Sequence, residues 1–157
     1  MADWAQLARE APALTDLAEG VLAARRLRTL ATLRRDGSPR LSEISGAWVR
    51  DGEFWLGLIP SAKERDLGRD PRCSVHCGSP TDASGASLRV SGRAERAAEG
   101  DLERLGMARG DEEPTFTLYR LDLDEVVVTT PDPESRQILV EWWSAASGLG
   151  RMTRRGG

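Results

Sequence analysis

Residues 29–59 read TLATLRRDGSPRLSEISGAWVRDGEFWLGLI. Thr29-Leu30-Ala31-Thr32-Leu33 is short, apolar and partly β-branched. Residues 40–49 form a second strand-like run, and Phe54-Trp55-Leu56-Gly57-Leu58-Ile59 a third. Asp36-Gly37-Ser38-Pro39 and Asp51-Gly52 lie between them. Asp-Gly is a hairpin signal, because glycine accepts the positive φ that a tight turn requires. Two such turns between three apolar runs predict an antiparallel meander.

The next stretch, Pro60-Ser61-Ala62-Lys63-Glu64-Arg65-Asp66-Leu67, reads as the first turns of a helix. Ser61 and Glu64 have the spacing of a capping box. Asp70-Pro71 ends the helix, since the residue before proline disfavours the helical region. Lys63 is the only lysine of the chain; every other strongly basic residue is arginine. A helix start with free amides, a hydroxyl and a compact ammonium is suited to a phosphate. A plain capping box with a surface lysine explains the same residues, and the spacing alone leaves both readings open.

Outward from this stretch the pattern stays mostly β. Strands are expected at about 72–77, from Ala86 to Arg96, around Phe116 to Leu121, at Val126–Thr130 and at Ile138–Trp143. Gly92 marks a bulge or bend in the second of these. Residues 78–85 and 107–114 read as loops, and 97–106 as a helix. Before the meander, Trp4, Leu7, Ala8 and Ala11 recur at helical spacing, as do Leu14, Leu17, Ala18, Val21 and Leu22. Pro12 divides the two sets, giving a short helix from Asp3 and a longer one from near Thr15. The expected organisation is one domain, 1–157: N-terminal helices at 1–25, a β-barrel at 26–143 and a small, polar tail at 144–157. Sheets of six or seven antiparallel strands commonly close into barrels, which removes their edges.

A chain of 157 residues supports one core. Its net charge of −3 argues against a nucleic-acid partner. Arg151 to Arg155 form a basic tail, read as a solvated terminus. No apolar run approaches a membrane span, and Met1-Ala2-Asp3-Trp4 lacks the order of a signal peptide, so a cytoplasmic protein is expected. Cys73 and Cys77 flank the only histidine, His76. On a strand both cysteines face one way and His76 the other, with the cysteine backbones about 13 Å apart. That is too far for a disulfide and awkward for one zinc ion, so buried thiols are expected and no metal site.

Between Thr29 and Pro71 the order of motifs resembles the flavin-binding split β-barrel superfamily of pyridoxamine 5'-phosphate oxidase-like proteins. The matching elements are Leu30-Ala31-Thr32-Leu33, Asp36-Gly37-Ser38-Pro39, Trp55-Leu56-Gly57, Ser61-Ala62-Lys63 with Arg65-Asp66-Leu67, and Arg69-Asp70-Pro71-Arg72. Val90-Ser91-Gly92-Arg93-Ala94-Glu95 adds a second match, and Glu141-Trp142-Trp143 with Gly148-Leu149 a third. The resemblance implies a mainly β, six- to seven-stranded antiparallel split barrel with short inserted helices. It implies that Ser61, Ala62 and Lys63 grip a cofactor phosphate. It places Ser42 and Ser45 near a flavin ring, and Trp143 at the site of a partner subunit. Glu43 departs from the pattern. Ala47 stands where a phosphate-binding lysine is found in true pyridoxamine phosphate oxidases, and Ala62 where an arginine is common. His76 is not assigned as a base, and Arg151 is a weak candidate for an acidic group.

The function that follows is hydride transfer between bound FMN, or alternatively the deazaflavin coenzyme F420, and a small organic substrate. A homodimer with interface sites is expected. The alternatives are a non-enzymatic carrier of flavin, F420 or haem, and a degenerate interaction protein. Fold alone does not choose among them.

Overall fold

A computed structural model describes residues 1–78, 85–107 and 115–155. The loops expected at 78–85 and 107–114 lie almost entirely outside the described residues. Two helices open the chain, α1 (Trp4–Glu10) and α2 (Pro12–Ala24). Asp3 caps α1, its Oδ1 accepting from the Gln6 amide at 2.7 Å. The second helix begins at Pro12, not near Thr15. Proline is tolerated at the first helical position, where its missing N–H costs no bond.

The meander forms as β1 (Arg28–Leu33), β2 (Pro39–Ile44), β3 (Ala47–Arg50) and β4 (Glu53–Leu58). The run at 40–49 is thus two strands. It breaks at Ser45-Gly46, where the Gly57 amide donates to the Gly46 carbonyl at 2.9 Å. A Cβ on Gly46 would collide with the Gly57 carbonyl, so only glycine allows this approach. Before the break β2 pairs with β1; after it β3 pairs with β4.

Helix α3 (Ala62–Arg69), β5 (Arg72–Gly78), β6 (Ser87–Arg96), the single turn α4 (Asp101–Arg104) and β7 (Thr117–Asp132) follow. The strands expected near 116–121 and 126–130 are therefore one. Helix 97–106 shrinks to α4. The chain ends in β8 (Gln137–Ser144) and β9 (Gly148–Arg155), so the tail expected after residue 143 is a strand. The described residues form nine strands where six or seven are expected.

The sheet runs in the order β2-β1-β5-β6-β7-β4-β3, with β8 added to β7 and β9 to β8. Its first and last strands are the two halves of one bent segment. Gly92 sits at a register shift between β6 and β7, as its position predicts. A Cβ there would strike the Asp122 carbonyl.

Helices α1 and α2 cover one side of the barrel. Trp4, Leu7, Leu14, Ala18 and Val21 share a core with Leu30, Phe54, Val75, Val90, Val126 and Trp143. Trp4 and Phe54 meet with ring centroids 5.6 Å apart. Cys73 and Cys77 are both buried and free, alternating with an exposed His76 as expected. Among the described residues no group of acidic, histidine and cysteine side chains could hold a metal ion, and no helix is long and apolar enough to cross a membrane.

Candidate functional site

Three residues, Ile59, Pro60 and Ser61, separate the end of β4 from the start of helix α3. Ser61 is its N-cap, and its Oγ accepts from the Glu64 amide at 3.4 Å. The Ser61 hydroxyl hydrogen is already committed, donating to the Ile59 carbonyl at 2.9 Å. Only half of the capping box forms. Glu64 does not reach back to the Ser61 amide; its Oε1 accepts from Thr117 Oγ1 at 3.2 Å and the Tyr119 hydroxyl at 3.1 Å. Burial, with Glu64 alongside, pushes the Tyr119 phenol up to about 12, so it stays a donor. Ser61 therefore shapes the helix start, with its hydroxyl hydrogen directed to the Ile59 carbonyl.

The amides of Ala62 and Lys63 precede the first intrahelical bond, which Arg65 makes to the Ser61 carbonyl. They are orphan donors of the helix start. Lys63 is partly buried and makes no hydrogen bond or ion pair among the described residues. Two free amides and an uncommitted ammonium thus belong to the first two residues of one helix, donor types suited to a phosphate.

Asp66, one turn further on, fixes α3 to the sheet. It is buried, and its Oδ2 accepts from Arg40 Nε at 2.6 Å and Thr32 Oγ1 at 2.9 Å. Its Oδ1 accepts from Arg69 at 2.9 Å. Burial pushes this carboxyl up, but the bonds from Arg40, Arg69 and Thr32 outweigh it and hold Asp66 at about 2. Between α3 and the β1–β2 turn lies a cleft of about 570 Å³ whose walls carry Arg34, Arg35, Arg40, Arg65 and Arg69. Ala62 also lines it.

The outer face of the sheet is read from the strand register. One row crosses seven strands as Glu43, Thr29, His76, Arg89, Val127, Trp142 and Gly150. Strand alternation puts Trp142 and Trp143 on opposite faces. Trp142 lies on the outer one, its indole over Gly150, where a Cβ would collide with it. Trp143 is fully buried and its Nε1 donates to Glu10 Oε2 at 2.7 Å. Trp143, expected at a cofactor or partner site, lies in the core and is hydrogen-bonded to α1. The tryptophan on the outer face is Trp142, one position earlier.

The two serines expected near a flavin also part company. Ser42 shares the face of Arg40 and Ile44 and is half-buried. Ser45 is exposed at the strand break, where its carbonyl accepts from Arg28 at 3.1 Å. Glu43 points outward with Leu41, away from Ser42. Arg151 is engaged by Glu141 at 2.8 Å. The fold thus brings Ser61, Ala62 and Lys63 together, sets Ser42 on the strand of Arg40, and leaves Ser45 and Trp143 apart from them. Asp66 and the arginines around it were missed as a unit because their partners lie on three different elements.

An antiparallel barrel whose second strand splits between two partners, with a helix start facing solvent beside it, defines the split-barrel class of proteins. The chain belongs to the pyridoxamine 5'-phosphate oxidase family, whose pattern matches residues 14–130. Its fold is similar to that of PhzG from Burkholderia lata 383, solved in complex with tetrahydrophenazine-1-carboxylic acid: 16% identity, TM-score 0.65, covering 83% of this chain and 82% of that one. It is also similar to a pyridoxamine 5'-phosphate oxidase-related, FMN-binding protein from Nostoc punctiforme: 15% identity, TM-score 0.65, covering 96% and 99% of the two chains. A heme-binding protein from Mycobacterium smegmatis shares the fold at 20% identity and TM-score 0.59, over 89% of this chain but 57% of that one. These likenesses are of fold. No curated protein matches the chain in sequence.

Proposed function

We propose that this protein is a flavin-dependent oxidoreductase that binds FMN with its phosphate at the start of α3. The observation that carries this reading is the cradle itself: the free amides of Ala62 and Lys63 beside an ammonium with no carboxylate partner among the described residues. The family supports the choice of cofactor class, and the FMN-binding relative from Nostoc punctiforme shares the fold across nearly the whole of both chains.

Bound FMN supplies hydride chemistry at its ring. Lys63 and the two amides hold the phosphate and so fix the position of the rest of the cofactor. Strand β2, pinned through Arg40 to Asp66, flanks the ring. A second copy of the chain covers the outer sheet face and excludes water from the site. Exposed Leu41 and Met152, with half-buried Val127, Val140 and Trp142, give that face its apolar character. Positioning and exclusion of water are the protein's usual share in cofactor chemistry. The substrate is a small organic molecule, and the deazaflavin F420 is the alternative cofactor.

A fluorescence titration of the apo-protein with FMN and, separately, with F420 tests the reading. Saturable binding of one cofactor is expected. Lys63→Ala removes a charged hydrogen bond and should weaken it by about 1.5–3 kcal/mol. Equal affinity in variant and parent would remove the phosphate from α3. Consumption of the reduced cofactor with an acceptor separates an oxidoreductase from a carrier.

A further inference from the structure

A second cleft, of about 350 Å³, lies on the side of α3 turned away from the arginines. Glu64, Leu67 and Gly68 line it, at the i, i+3, i+4 spacing of one helix face. Ala62, Arg65, Asp66 and Arg69 line the arginine cleft from the opposite face, so the helix separates the two. Ala94 and Arg96 of β6, Tyr119 of β7 and Pro71 complete the lining. The volume is in the range of small-molecule sites.

The cleft carries one charge of each sign, and the two do not pair. Glu64 is half-buried. Its Oε1 accepts from Thr117 Oγ1 at 3.2 Å and the Tyr119 hydroxyl at 3.1 Å, and its Oε2 has no partner among the described residues. Tyr119 is buried and its phenol keeps its proton near neutral pH, so this donor holds the carboxylate in place. Arg96 stands directly opposite Tyr119 in the β6–β7 register, on the face that carries buried Ala94. An apolar side chain there would continue the core. The guanidinium instead lines the cleft, is exposed, and makes no side-chain hydrogen bond or ion pair among the described residues. The rest of the lining is apolar: Leu67, Pro71, Ala94 and the Tyr119 ring. Gly68 leaves room, since a Cβ there would meet nothing within 4 Å.

A carboxylate oxygen with no partner accepts from an ammonium, and a guanidinium fork matches a carboxylate. We infer that this cleft binds a small zwitterion with an apolar body, namely an apolar amino acid. Its ammonium meets Glu64 Oε2, its carboxylate meets Arg96, and its side chain packs against Leu67, Pro71 and Ala94. The site is separate from the proposed FMN site and makes no use of Lys63.

Calorimetric titration of the full chain tests this with three probes: leucine, isopentylamine (leucine without its carboxylate) and isocaproate (leucine without its ammonium). Leucine should bind at least about tenfold tighter than either analogue, because each analogue forgoes one charged hydrogen bond. Glu64→Gln and Arg96→Gln should each weaken leucine by about tenfold or more. Glutamine at 64 keeps a carbonyl for Thr117 and Tyr119, so the fold is preserved. Isocaproate should bind Glu64→Gln as it binds the parent, and isopentylamine should do so for Arg96→Gln. Gly68→Leu fills the cleft without touching either charge, and should abolish leucine binding while the circular dichroism stays that of the parent. Leucine bound no tighter than its analogues, or unchanged leucine affinity in either charge variant, overturns the site. Lys63→Ala should leave leucine affinity at the parent's value whatever it does to FMN; a loss there would move leucine to the proposed cofactor site and overturn the separate one.

Discussion

Asp66 joins three elements through one carboxylate, and its chemistry makes acid stability measurable. Its pKa is about 2 in the folded chain against an ordinary 3.8. A depressed carboxylate stabilises the fold above its unfolded value and ceases to do so as the pH falls through its folded one. Urea midpoints should therefore hold steady above about pH 4 and drop between there and pH 2. Asp66→Asn should flatten that drop and cost about 1.5–3 kcal/mol at neutral pH, the range for hydrogen bonds to charged groups. The thiols behave differently. Burial, with Asp124 nearby, pushes Cys73 up to about 12, and burial raises Cys77 as well. A thiol reagent at pH 8 should label neither in the native chain and both in urea; rapid native labelling would contradict their burial.

Among the elements, the split strand carries the architecture. Gly46→Ala places a Cβ against the Gly57 carbonyl, and Gly92→Ala against that of Asp122. Each should cost about 1–3 kcal/mol, the usual penalty of overpacking, visible as a lower thermal midpoint. The meander was legible because two Asp-Gly turns punctuate it, and the bulge because glycine interrupts an otherwise regular strand. The break at Ser45-Gly46 was not, since residues 40–49 are apolar enough to read as one strand and the reason for the break, Gly57, is distant in sequence. The choice between Trp142 and Trp143 was equally hidden. A one-residue slip of register reverses every side chain of a strand, and only pairing with Val126 and Val127 on β7 sets it. At the start of α3, spacing identified Ser61, Ala62 and Lys63. The partners of Glu64 on β7 were needed to see that the capping box is incomplete.

For the molecule as a whole, the outer sheet face sets the expected assembly. A second copy laid on Val127, Val140 and Trp142 would be disrupted by a buried charge. Val140→Glu should convert a dimer to a monomer in light scattering, whereas a parent that is itself monomeric would remove the second copy from the proposed site. The sheet also ends in an unusual way. Among the described residues β2 pairs only with β1, β3 only with β4 and β9 only with β8, so the sheet keeps open borders, of which β9 is the longest strand. An unpaired border invites other chains to add strands to it, and proteins often blunt such borders with charge. Arg151, Arg154 and Arg155 are exposed along β9 and do so here. Charge of this kind along a border disfavours edge-to-edge pairing with other chains. Shortening the chain at Ser147 would bare β8, with Ile138, Val140 and Trp142, and turn a self-limiting sheet into a template for growth.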